Sequence, residues 1–307
     1  MLLRPSFCTA LSLTVALAAQ DPLTGTPAAP GGAAPAQTAQ QQVERLLRAT
    51  RDLDAVAFWD WLPTSYQQDV EGLCHDLADK LDGKTYDRAA QVLQRLASAA
   101  LDKQEFVFGN ATVARSMRQN GTDVRGAQQA YGALFGMVRQ LAGGEMGSVE
   151  GLRTFDGRKF MSRSGKALLE TAFALARAQG NDPVAGIDAV KVRTLGQRNG
   201  EVRVELKAPE QDAEVTTFVQ VEGKWVPMEM ARKWRDGVGE LREQIAAMPQ
   251  RDARFAAQAG LVLGMVEGFV KQLEDVESQE DFDAVVGQLM AMAGGGMGQQ
   301  GRMPRER

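Results

Sequence analysis

Apolar residues recur every three or four positions along most of this chain, and the pattern changes to alternation only between about residues 187 and 226. Leu46, Leu47 and Leu53 open a first helical block over 41–180. Phe58, Trp59, Trp61 and Leu62 form an aromatic knot that Pro63 stops. Thr64-Ser65-Tyr66-Gln67 predicts a capping box, the threonine oxygen taking an orphan N–H while the glutamine reaches back. Val70, Leu73, Leu77 and Leu81 then line one helix face; Asp82-Gly83 turns the chain, and Tyr86, Ala89, Ala90, Leu93, Leu96 and Ala97 continue the pattern. Further helices are predicted over Val124 to Leu141, from a Ser148 cap, and over Lys166 to Ala178.

Ala189 to Arg193 and Val202, Val204 and Leu206 alternate apolar with polar, and Asn199-Gly200 between them suits a tight hairpin turn. Val215, Phe218 and Val219 mark a third strand, and Glu222-Gly223 turns into Lys224-Trp225-Val226. So small a meander must lay one face on helices. Helical spacing resumes from 228 to 293, with Trp234, Val238, Leu241 and Ile245 before Pro249, a long helix from about Arg251, and an acidic cap at Ser278. The fold class is therefore α+β and predominantly helical, a helical bundle with a small three- or four-stranded antiparallel meander packed on helices. In the long helix Ala256, Gly260, Gly264 and Gly268 fall at successive fours, which predicts close backbone approach inside the fold; the alternative is a homo-oligomer joined through Gly260, Gly264 and Gly268.

The first 18 residues have the form of a cleavable signal peptide: Arg4, an apolar run from Phe7 to Leu17, and small residues at Ala16 and Ala18. The run is too short for a bilayer span, so no stable membrane span is expected after cleavage, and the location is extracytoplasmic, periplasmic or secreted. Residues 19–40, rich in Pro, Ala and Gly, read as a flexible spacer, 41–293 as the globular region and 294–307 as a disordered tail. Net charge is −4, which gives no basic footprint for nucleic acid. Cys8 departs with the leader, so Cys74 is left without an intramolecular disulfide partner, and a lone thiol in an exported chain is usually buried.

The chemistry is sparse. His75 is the one histidine, and its helix neighbour Cys74 points about 100° away, too far round to pair. There is no Gly-x-Ser-x-Gly elbow and no Ser-x-x-Lys pair. Glu71, His75 and Asp79 share one helix face and form the candidate metal or hydrolytic set; the plain alternative is a solvated face. The acidic run Glu274, Asp275, Glu277, Glu280, Asp281, Asp283 lacks the glycine and alternation of a calcium loop. Gly296 to Gly301 matches the dinucleotide fingerprint without its strand and helix, and Asn110 and Asn120 sit in sequons. Trp59, Trp61 and Tyr66 are a candidate ligand groove, or else core. No catalytic, cofactor or metal residue is assigned.

The segment Phe58-Trp59-Asp60-Trp61-Leu62-Pro63-Thr64-Ser65-Tyr66-Gln67-Gln68-Asp69-Val70 resembles one in uncharacterised exported bacterial proteins, a family that implies no activity. The meander ending in Glu222-Gly223-Lys224-Trp225-Val226 resembles the closing strands of NTF2-like (cystatin-like) domains, which implies a pocket between sheet and helix. Together these features point to an exported, non-enzymatic binding or scaffolding protein for a small molecule or another protein. The alternative is a metal-dependent or hydrolytic extracytoplasmic enzyme using Glu71, His75 and Asp79.

Overall fold

Thr38 starts the first helix. Its hydroxyl accepts from Gln41 N and the Gln41 side chain accepts from Thr38 N, a capping box that places α1 at Ala39–Asp52, two residues earlier than the expected start of the globular region. The computed structural model describes residues 37–119, 121, 123–178, 180–209, 211–248 and 253–295. The leader with Cys8, the spacer before Gln37, Asn120 and Thr122 of the second sequon, Pro249, the Gly296–Gly301 match and the tail after Gly295 lie outside the described residues.

Asp54 caps a short helix α2 (Ala55–Trp61), and Pro63 ends the connection into α3 (Thr64–Lys80). The capping box expected at Thr64 is not formed. Pro63 occupies the cap position, which makes Thr64 the first helical residue. Ser65 N donates to the Glu222 carboxylate from the sheet, and the Gln67 amide donates back to Trp59 O and Leu62 O. A tertiary carboxylate thus takes the place of a local side-chain cap at this helix start.

Asp82 caps α4 (Gly83–Asp102), which runs on into α5 (Gln104–Gly109), α6 (Ala111–Gln119) and α7 (Val124–Gly143). Ser148 caps α8 (Val149–Arg153) as expected, its Oγ accepting from Gly151 N. A short helix α9 (Gly157–Phe160) passes through a π turn, Met161–Gly165, into α10 (Lys166–Ala178). Helix α4 lies between α7 and α12 (Ala253–Glu274), and α7 also packs on α10.

The meander has four strands in the order β1 (Lys191–Arg198), β2 (Glu201–Lys207), β3 (Glu214–Val221), β4 (Lys224–Pro227), all antiparallel. Both tight turns use paired positive φ, 53° and 81° at Asn199-Gly200 and 49° and 77° at Glu222-Gly223, the twist a two-residue hairpin needs. Leu195 is the extra residue of a bulge in β1. One face of the sheet carries Val202, Val204 and Phe218 onto Ala39 and Val43 of α1. The other face, at β3 and β4, carries Val219, Val221 and Val226 onto Tyr66 of α3 and onto Met230 and Trp234 of α11 (Met228–Ala247). The expected one-sided packing is therefore two-sided at that end.

Helix α12 pairs with α4 through Arg88–Glu267 and Arg95–Glu274, two bidentate pairs seven residues apart on both helices, so the two run parallel. Leu273 and Val276 then join Phe282 of α13 (Gln279–Gly295) over Ala99. The close approach expected along the glycine stripe is not found. A Cβ added at Gly260 or Gly264 would meet only the Arg88 guanidinium, at 4.0 and 3.8 Å, and one at Gly268 would meet nothing within 4 Å. Among the described residues no helix is long and apolar enough to cross a membrane.

Candidate functional site

The aromatic knot is divided among packing contacts. Trp59 is 4% exposed and lies flat over Gly157, whereas Tyr66 is 7% exposed and stacks on Trp234 with ring centroids 4.1 Å apart. Trp61 is half-buried and donates its indole N–H to Trp225 O. Of the three candidate groove residues, Trp59 and Tyr66 are therefore buried in packing contacts, and Trp61 is half-buried with its indole N–H spent on the sheet. Burial, together with the charges of Glu222 and Asp69, pushes the Tyr66 hydroxyl up to about 12.

The acid–base candidates on α3 are tied to the backbone of one neighbouring segment. Glu71 Oε1 accepts from Gly157 N at 3.0 Å, and His75 Nε2 lies 3.3 Å from Phe155 O. Asp79 has an interaction of its own. Asp69, on the same helix, accepts from the Trp234 indole at 2.9 Å and from Arg242 at 3.0 Å. Cys74 is partly buried against the cluster of Ala78, Val149 and Leu152, and burial chiefly, with Glu71 adding to it, pushes its thiol up to about 11. It is thus far from the low-pKa state of a reactive thiol. Among the described residues no group of three His, Cys, Asp or Glu side chains is placed to hold a metal ion. In the acidic run Glu274 pairs with Arg95, Asp281 with Ser278, and Asp283 with Asn110 and Gln279.

The open concave site lies elsewhere, between α1 and the outer edge of the sheet. A cleft of about 210 Å³ is lined by Glu44, Leu47, Arg48, Ile187, Asp188 and Val192. Its apolar lining comes from three elements: Leu47 of α1, buried Ile187 of a 3₁₀ turn, and Val192 of β1. The turn is held by Gly186 at φ 73°, and by Asp188, which pairs with Arg51 at 2.9 Å. The neighbouring Asp52 carboxylate, and then Asp188, hold the Arg51 guanidinium above its usual value. On the opposite wall Glu44 and Arg48 stand one helical turn apart, and the Gln40 amide bridges Glu44 Oε1 and Thr194 of the strand edge.

None of these residues was a sequence candidate. Glu44 and Arg48 had the visible spacing of a solvated i,i+4 pair. Nothing local joins them to Asp188, which reaches the cleft only because α1 lies across the sheet. No family model, curated protein or solved structure matches the chain.

Proposed function

We propose that this is an exported, non-catalytic binding or scaffolding protein whose ligand meets the cleft between α1 and β1. The observation that carries the reading is the use made of the acid–base residues. Glu71 and His75 are spent on the backbone of 155–157, while the cleft between α1 and β1 sets apolar side chains beside the charges of Glu44, Arg48 and Asp188. Export is supported by the leader and by the resemblance of Phe58 to Val70 to exported bacterial proteins.

Two measurements test this. Protein purified without chelator is expected to carry no stoichiometric transition metal and to turn over no ester, phosphoester or glycoside reporter. Turnover abolished by His75→Ala overturns the reading in favour of the enzyme built on Glu71, His75 and Asp79. N-terminal sequencing of the mature protein is expected to begin at Ala19; an intact Met1 in the cytoplasmic fraction overturns export.

A second reading, self-association, is favoured by the outward face of α12. Leu261 and Met265 are 67% and 62% exposed there, beside the open backbone of Gly268. Light scattering decides it: a dimer dissociated by Met265→Glu supports it, and a monomer rejects it.

A further inference from the structure

The two edges of the sheet are guarded unequally. At β4, both backbone groups of Trp225 are occupied: its N–H donates to Gln42 Oε1, and its carbonyl accepts from the Gln42 amide and the Trp61 indole. At β1, among the described residues, the guard is Gln40, whose oxygen takes the Thr194 N–H and hydroxyl at 3.3 and 3.4 Å. In an antiparallel ladder, residues whose backbone groups point outward alternate. Since Thr194 N–H points outward, so do the backbone groups of Val192, and Val192 lines the cleft beside α1.

The two faces next to this edge differ in chemistry. On the α1 side lies the apolar lining of Leu47, Ile187 and Val192. On the other side Lys191, Arg193 and Arg198 project, and β1 carries no acidic residue. Arg193 is matched by Glu205, and Arg198 stands opposite Glu201. Lys191, however, stands directly opposite Lys207, a like-charge pair that an incoming carboxylate relieves. A strand added about 4.8 Å beyond β1 would place alternate side chains on these two faces.

We propose that the outer edge of β1 takes up an extended peptide of alternating apolar and acidic residues as a fifth strand. Its apolar side chains enter the cleft beside α1, and its carboxylates lie among Lys191, Arg193 and Arg198. Gln40 is displaced from Thr194 as the strand pairs. A second copy of β1 is the poorer occupant, because it would bring three more cations against these three. The inference rests on the binding reading above, but it can fail separately.

The experiment is fluorescence anisotropy on the full mature chain, with a labelled peptide of about eight residues alternating valine and glutamate. Controls are the valine–lysine peptide and a valine–glutamate peptide N-methylated at its alternate amides. The valine–glutamate peptide is expected to bind at least tenfold more tightly than either control. Lys191→Glu, which turns the like-charge pair with Lys207 into an opposite-charge one, is expected to weaken it about fivefold without lowering the thermal midpoint. Thr194→Pro gives the same loss, because that N–H lies outside the β1–β2 ladder and proline is tolerated there. Equal binding of the N-methylated peptide overturns strand addition without any protein variant. Absence of binding, or a dimer dissociated by Thr194→Pro, overturns the peptide as occupant while leaving a non-catalytic binding protein intact. Reporter turnover abolished by His75→Ala is what removes that broader reading.

Discussion

At Gly157 the backbone passes directly beneath the Trp59 indole, and a Cβ there would stand about 2.1 Å from the ring. Neither partner can give way, since Trp59 is buried and Gly157 N is held by Glu71. Gly157→Ala is therefore expected to destabilise the protein by about 1–3 kcal/mol, read as a lowered denaturant midpoint. Glu222 gives a residue-level pH test. Bonds from the Ser65 side chain and backbone hold its carboxyl below the usual 4.5. A depressed carboxylate stabilises the fold above its unfolded value, and that contribution is lost as pH falls through the lower folded value. Because Glu222 is exposed and screened by solvent, Glu222→Gln is expected to cost no more than about 0.5 kcal/mol at pH 7, and the gap from the parent should close as the pH drops below 4.5. Little of this was legible in the sequence. The spacing of Glu71 and His75 was visible, but the segment they hold lies some eighty residues away and meets them only by tertiary packing.

Among the secondary-structure elements, the helices and hairpins were the legible part, because their signals are local. Asn199-Gly200 and Glu222-Gly223 supply the positive φ of their turns, and Asp82, Ser148 and Ser278 mark helix starts. At Thr64 the local signal was overridden because Pro63 takes the cap position and Glu222, far along the chain, supplies the acceptor for Ser65 N. The error at the glycine stripe had a different cause. Four small residues in register are compatible with close packing but do not require it, and here the opposing group is the flexible end of Arg88. An open helical glycine carries only its entropic cost. Gly268→Ala is therefore expected to stabilise α12 by up to about 1 kcal/mol in a thermal melt. If the exposed face of α12 self-associates closely, the same change should weaken the dimer, which light scattering would register.

For the whole molecule, separate hydrophobic clusters each bury an ionisable group in its neutral form. Cys74 lies against Ala78, Val149 and Leu152, Tyr66 beside Trp234, and Tyr131 between Phe108 and Phe135. Burial pushes these groups up to about 11, 12 and 12 respectively. A group with a raised folded value stabilises the protein below its unfolded value and loses that contribution as pH rises through the folded one. Stability measured in urea is thus expected to hold to about pH 9 and then fall steadily towards pH 12. Fold class was readable because composition and periodicity report it, whereas the α1–β1 cleft was not, because 137 residues separate Arg51 of α1 from Asp188 on the other wall.

That separation also has a consequence in time. Gln40 and Gln42 reach opposite edges of the sheet, at Thr194 and Trp225, across 154 and 183 residues. A ribosome adding about 5–20 residues per second needs roughly ten to forty seconds to make that span. The helix synthesised early is therefore among the last to find its partners, and until it docks both rims of the new sheet stand open to neighbouring chains.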